Sequence, residues 1–123
     1  MTMKITVQID AIPQGRPRFY RGVAVDPPKC KQFKQDLALL VKSQYHDAPL
    51  SGNVLVTIRI YRNFNKPTNK RYGDIDNLAK AILDAGNGIL WIDDAQIVDL
   101  HIIKHITDGK PFVELFIDSV AIF

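Results

Sequence analysis

The hydrophobic pattern of this chain changes period several times, and each change predicts an element. Ile5, Val7, Ile9 and Ala11 alternate with Lys4, Thr6, Gln8 and Asp10, the period-two signature of a strand with one buried face, over residues 3–12. Pro13 and Gly15 end it. A loop follows in which Arg16, Arg18 and Arg21 are interleaved with Phe19 and Tyr20, and residues 23–25 can pair back as a short strand before Pro27-Pro28. From Lys29 to Tyr45 the period lengthens. Phe33, Leu37, Leu40 and Val41 fall at i, i+4, i+7 and i+8, with Lys31, Lys34, Gln35 and Lys42 mainly outside, which predicts an amphipathic helix. Val54, Val56, Ile58 and Ile60 return to strict alternation, with Leu55, Thr57, Arg59 and Tyr61 on the opposite face. A second helix follows Asp74, burying Ile75, Leu78, Ala79, Ile82 and Ala85, and Gly86-Asn87-Gly88 stops it. Two closing strands, residues 97–105 and 111–117, are joined by Thr107-Asp108-Gly109, a sequence that predicts a hairpin.

Strand, helix, strand, helix and two further strands predict an α/β (α+β) domain: a two-layer sandwich of a mixed sheet with both helices on one face. No linker, repeat or low-complexity tract interrupts residues 1–123, so the expectation is a single domain. No apolar run approaches the roughly 20 residues of a membrane helix, and no signal-peptide pattern opens the chain. A single cysteine, Cys30, cannot form an internal disulfide, which fits a cytoplasmic protein without membrane partners. The three histidines and this cysteine share no zinc-site spacing.

Charge sharpens the picture because of where it lies. Residues 1–73 carry thirteen Lys and Arg against four Asp, whereas residues 74–123 carry three Lys against nine acids. The net +9 and −6 of the two halves make up the overall +3. A basic half suited to a polyanion precedes an acidic half suited to cations, although clustering on a solvated surface gives the same count. Within the basic half, Arg16, Arg18 and Arg21 form one candidate DNA-binding group, and Lys66, Lys70 and Arg71, in a stretch free of acids, form another.

Two acidic clusters flank the second helix: Asp74 and Asp76 at its start, and Asp93-Asp94 shortly after Trp91-Ile92. Each has an ordinary explanation. Asp74 suits an N-cap. Asp76, Lys80 and Asp84 lie four apart and suit surface salt bridges. Asp93-Asp94 suits a solvated turn. Taken together, Asp74, Asp76 and one or both of Asp93 and Asp94 form an all-oxygen set of the kind that hard Mg2+ prefers, with waters and a phosphate oxygen completing it. Such an ion neutralises charge developing on a phosphate and lowers the pKa of a bound water. Lys80, one turn beyond Asp76, suits a contact to the scissile phosphate or the leaving oxygen. Phe19 or Tyr20 then suits stacking on exposed bases, the alternative being that they pin their loop to the core.

The run Asp74-Ile75-Asp76-Asn77-Leu78 with Lys80, followed by Trp91-Ile92-Asp93-Asp94-Ala95-Gln96-Ile97, resembles the RusA family of Holliday junction resolvases. The resemblance implies a small homodimeric endonuclease, dependent on Mg2+ with Mn2+ as a possible substitute, that makes paired nicks in four-way or branched DNA. Carried over by motif position, it implies Asp74, Asp76 and Asp94 as catalytic metal ligands, Asp93 as a supporting ligand and Lys80 as the catalytic lysine. Family members commonly place Arg or Pro just before the first aspartate, and here Tyr72-Gly73 intervene after Arg71. The Gly15-Arg16-Pro17-Arg18 loop suits the phage and prophage branch. Two other readings stay open: a nucleic-acid-binding accessory protein of the same fold without cleavage, and a metal-dependent nuclease acting on flaps or RNA.

Overall fold

The computed structural model describes residues 2–15, 18–63 and 74–120, with only the backbone of Arg18. Among these residues six strands and two α-helices follow in order: β1 (Thr2–Val7), β2 (Arg18–Tyr20), β3 (Val23–Val25), α1 (Pro28–Gln44), β4 (Asn53–Arg62), α2 (Ile75–Gly86), β5 (Ile97–Ile106) and β6 (Phe112–Val120). Four strands make one sheet in the order β1-β6-β4-β5, and β2 and β3 pair with each other alone. The α+β class read from the sequence is the class observed.

The alternation in β4 explains its central place. Val54, Val56, Ile58 and Ile60 are all buried, and they share one core with Ile5, Val7, Val113, Leu115 and Ile117 of the sheet and with apolar residues of both helices. Both helices therefore cover the same face of the sheet. On α1 the buried stripe is Cys30, Phe33, Leu37 and Val41, while Leu40 sits at its margin, 37% exposed. On α2 the buried set is Leu78, Ala79, Ala81, Ile82, Ala85 and Gly86, and Ile75 at the first turn stays 39% exposed.

The closing hairpin expected at residues 107–109 is not formed. β5 pairs in parallel with β4, β6 pairs antiparallel with β4 and β1, and β4 lies between the two closing strands. The connection instead passes over the end of β4, where the Thr107 amide donates to the Arg62 carbonyl (3.3 Å). Gly109 does donate to Thr107 Oγ1 as a local turn would, so the turn chemistry was legible and the partner was not. Burial of β4 on its apolar face, flanked on both sides, outweighs the local preference.

Arg62 is the one buried charged residue among those described. Its Nη2 donates to Asp10 (3.2 Å), and its Nε lies 3.0 Å from the other carboxylate oxygen, close enough for ion pairing but not aligned as a hydrogen bond. The pair fixes the continuation of β1 to the end of β4, where the chain leaves toward α2.

At the other end of α2, Trp91 is completely buried, and its Nε1 donates to Asn87 Oδ1 (2.8 Å). A Cβ on Gly86 would stand 2.7 Å from Trp91 Cζ2. Gly86→Ala pits the helix propensity gained, about 1 kcal/mol, against overpacking of a rigid ring, about 1–3 kcal/mol. Overpacking wins, so the variant is expected to be less stable by about 1–2 kcal/mol on denaturant unfolding; a midpoint equal to or above wild type would show that the indole gives way.

Candidate active site

α2 begins with Asp74 in the N-cap position, but the Asp74 side chain makes no capping hydrogen bond. Asp74, Asp76 and Lys80 are all exposed, and none of their side chains has a hydrogen bond or ion pair among the described residues. The salt bridges expected along the Asp76, Lys80, Asp84 stripe do not form. Asp84 is instead held by Lys34 of α1 (3.0 Å), which leaves the Lys80 ammonium uncommitted.

The second acidic pair divides its labour. Asp93 is the N-cap of a single 3-10 turn, Asp94–Gln96, and accepts from the Ala95 amide (3.1 Å). Of the two aspartates, it is Asp93 at this turn, and not Asp74 at α2, whose side chain makes a capping bond. Asp94 is half-buried, and its side chain makes no hydrogen bond among the described residues. Gln96 closes the capping box and does more. Its Oε1 accepts from the amides of Ile92 (2.8 Å) and Asp93 (3.0 Å), and its Nε2 donates to the carbonyls of Leu50 and Gly52 (2.8 Å each). One side chain therefore ties the acidic turn to the loop before β4. Sequence reasoning noted Gln96 only as a motif letter; its signal was the Asp-x-x-Gln spacing of a capping box.

The two clusters stand at opposite ends of α2. Asp76 to Gly86 is ten residues, about 15 Å of helix. Trp91 is seated against Gly86, and the Asp94 turn follows, bound to the 50–52 loop. Among the described residues no three His, Cys, Asp or Glu side chains are gathered as a metal cage.

Between arm and helix lies a network that the sequence did not announce. β2 and β3 form a two-stranded arm whose turn, Arg21-Gly22, has φ of +52° and +79°, as a tight hairpin of opposite-handed residues requires. Phe19 and Tyr20 are 80% and 66% exposed, so they do not pin this loop to the core, and Arg21 lies over the Tyr20 ring at 5.4 Å. The arm is oriented through its root. Gln14 donates from its backbone to the Asn77 carbonyl of α2 (2.9 Å) and from Nε2 to Asp26 (2.9 Å). Lys34 Nζ bridges Asp26 and Asp84, 3.0 Å from each. Hydrogen bonds from Lys34 and then Gln14 hold the Asp26 carboxyl below its usual range. Burial pulls Lys34 down, but its bonds to Asp26 and Asp84 outweigh that and raise it. Of the other candidate DNA contacts, Arg16, Lys66, Lys70, Arg71 and the Arg18 side chain lie outside the described residues.

No described helix is long and apolar enough to cross a membrane. The profile of the endodeoxyribonuclease RusA family matches residues 8–118. Uncharacterized protein YqaN of Bacillus subtilis (strain 168) is 33% identical over 97% of both chains. The crossover junction endodeoxyribonucleases RusA of Escherichia coli (strain K12) and of Enterobacteria phage 82 are each 29% identical, covering 75% of this chain and 76% of theirs.

Two expectations follow from the contacts around the site. Gln96→Ala leaves two amides and two carbonyls to water and is expected to cost about 1–3 kcal/mol of unfolding free energy; a loss under about 0.5 kcal/mol would mean that water replaces the clamp. The Asp26 contribution is present in full above about pH 4 and is lost as pH falls through the lowered native value. Lys34→Met is therefore expected to destabilise at pH 7 and to converge with wild type in acid. A gap that persists at pH 2 would show that packing, not charge, carries the bridge.

Proposed function

The chain belongs to the RusA endodeoxyribonuclease family, and from that premise we propose that it is a Mg2+-dependent, structure-selective endonuclease that resolves four-way DNA junctions in recombination, acting as a cytoplasmic homodimer. One observation carries the reading. The aspartates that the motif singles out, Asp74, Asp76 and Asp94, are the ones the fold leaves uncommitted, while neighbouring Asp84 and Asp93 are engaged in structure. Exposed carboxylates without partners repel phosphate, so a DNA-binding protein that does not cut has no use for them. The crossover junction activity named for the relatives from Escherichia coli and phage 82 supplies the substrate class.

The donor set fits a hard divalent cation: carboxylate oxygens without competing partners, accessible to water and to a phosphate. Asp74, Asp76 and Asp94 are the residues proposed to hold Mg2+ or Mn2+, with Asp93 limited to support by its capping bond. When bound, the ion supplies charge neutralisation at the phosphate and an acidified water. Lys80, free of ion pairs among the described residues, places a cation one helical turn from Asp76, suited to the charge on the scissile phosphate or leaving oxygen. The arm presents Arg21 beside two exposed aromatic rings, a combination that holds a phosphate backbone and stacks on unpaired bases. Paired cuts at symmetry-related positions call for two identical sites, which an isologous dimer provides.

The test is cleavage of a labelled synthetic four-way junction, with flap and plain duplex beside it, in Mg2+ and in EDTA. Paired, Mg2+-dependent nicks in the junction are expected. Asp76→Asn and Asp94→Asn are each expected to slow cutting by about a hundredfold or more while keeping junction binding. Tight binding without cutting in either metal would return the protein to the binder class, and preference for a flap would change the target but not the chemistry.

A further inference from the structure

The β2–β3 arm has no means of its own to hold a direction. Among the described residues its two strands pair only with each other, and Phe19, Tyr20, Val23, Ala24 and Val25 are all exposed. A two-stranded hairpin without a buried face is marginal in water, so its orientation has to come from where it joins the body.

Its root supplies that at two points on α2. The incoming leg is fixed by the Gln14 amide, which donates to the Asn77 carbonyl at 2.9 Å. The outgoing leg is fixed through a side chain, because Lys34 Nζ lies 3.0 Å from Asp26 and 3.0 Å from Asp84 of α2. The legs are also joined to each other. Gln14 Nε2 donates to the other Asp26 oxygen (2.9 Å), and Gly15 sits so close to Pro27 that a Cβ would stand at 2.7 Å. Asn77 and Asp84 are seven residues apart, about 10 Å along the helix. One attachment would be a pivot, whereas two at that spacing hold the arm at a set angle.

Lys34 is the residue on which the second attachment depends. It belongs to α1, Asp84 to α2, and Asp26 to the end of the arm, so one ammonium joins three parts of the chain. Desolvation offsets much of the attraction in such a half-buried bridge, which leaves direction as its main product. That direction relates Phe19, Tyr20 and Arg21 at the arm to Asp74 and Asp76 at the first turn of α2.

We infer that Lys34 is a positioning residue that makes this protein selective for branched DNA, by holding the β2–β3 arm at a fixed angle to α2. This rests on the nuclease reading for the class of substrate and goes beyond it in placing discrimination between branched and plain duplex DNA at the root of the arm. Exposed aromatic rings stack on unpaired bases, which a branch point can offer and an intact duplex does not. A rigid arm meets such bases without loss, whereas an arm that keeps the right direction about a tenth of the time binds about tenfold more weakly. Duplex held through its phosphates depends little on where the rings point.

Binding measured in EDTA, where no cutting occurs, tests this with a labelled four-way junction and a plain duplex. Lys34→Met and Asp84→Ala are each expected to weaken junction binding about tenfold and duplex binding by less than about twofold. Lys34→Arg, which keeps a cation able to bridge two carboxylates, is expected to restore most of the junction preference. Asp84→Ala removes a negative charge, so a purely electrostatic role predicts tighter binding of both DNAs instead, the opposite sign. A fluorophore on Val23→Cys, next to the turn of the arm, reads the cause. Its anisotropy decay is expected to follow the tumbling of the whole protein in the otherwise wild-type chain and to gain a faster component with Lys34→Met or Asp84→Ala. Unchanged junction preference in both variants overturns the inference, as does a wild type that does not distinguish the two DNAs. Equal weakening on both DNAs by Lys34→Met, with the salt dependence reduced by about one phosphate contact, overturns it too, because Lys34 would then touch DNA directly. A junction preference that the variants lose, in a protein that cuts nothing in Mg2+, supports the inference and speaks against the nuclease reading alone.

Discussion

Parallel pairing of β4 with β5 is the constraint on which the arrangement of this protein depends. Adjacent parallel strands need a crossover that returns the chain to the starting end of the sheet, and α2 is that crossover. A crossover helix has its first turn at the end where one strand finishes and its last turn where the next begins. The acidic motif begins at the first of these turns and ends in the 3-10 turn that follows the last. Its two halves are therefore separated by the topology itself.

Polar groups near this helix fall into two populations. One is fully engaged: Asp84 with Lys34, Asp93 with the turn it caps, Gln96 with four backbone groups, and Asp10 with Arg62. These residues hold the elements that carry the other population, Asp74, Asp76, Lys80 and Asp94, whose side chains have no described partner. The engaged groups give geometry and the unengaged ones have chemistry to spare. Buried or half-buried bridges such as that of Lys34 contribute modestly to net stability, since desolvation offsets much of the attraction. Their clearer consequence is orientation, because an arm with no buried face takes its direction only from its root.

Much of this was legible in the sequence, and the failures share a cause. Elements that depend on their own periodicity were readable: the alternation of Val54 to Ile60 names its buried face without help, as does the stripe Phe33, Leu37, Val41. Features decided by a partner distant in sequence were not. Thr107-Asp108-Gly109 reads as a hairpin turn, and only the insertion of β4 between β5 and β6 makes it a crossover. Asp84 reads as a partner of Lys80 four residues away, and only the packing of α1 on α2 gives it to Lys34, 50 residues earlier. Asp74 read as a cap or a ligand and Asp93 as a solvated turn or a supporting ligand, and the choice lay in backbone angles that residue identity does not fix. The family motif was readable for the converse reason, since it compresses the chemistry into two short runs.

The arm, finally, has an evolutionary consequence. Val23, Ala24 and Val25 are all exposed, as are Phe19 and Tyr20, so residues 19–25 contribute nothing to the core that the rest of the chain relies on. Most substitutions in a core-facing strand are filtered first by stability. Here that filter is nearly absent, and the arm is free to diversify in length, charge and aromatic content while the scaffold beneath stays fixed. Its root is not free in the same way: a Cβ on Gly15 would meet Pro27 at 2.7 Å, and Asp26 is held by Lys34. Relatives with different tastes in DNA shape are thus expected to differ most between Arg18 and Val25 and least at the two residues where the arm is hinged.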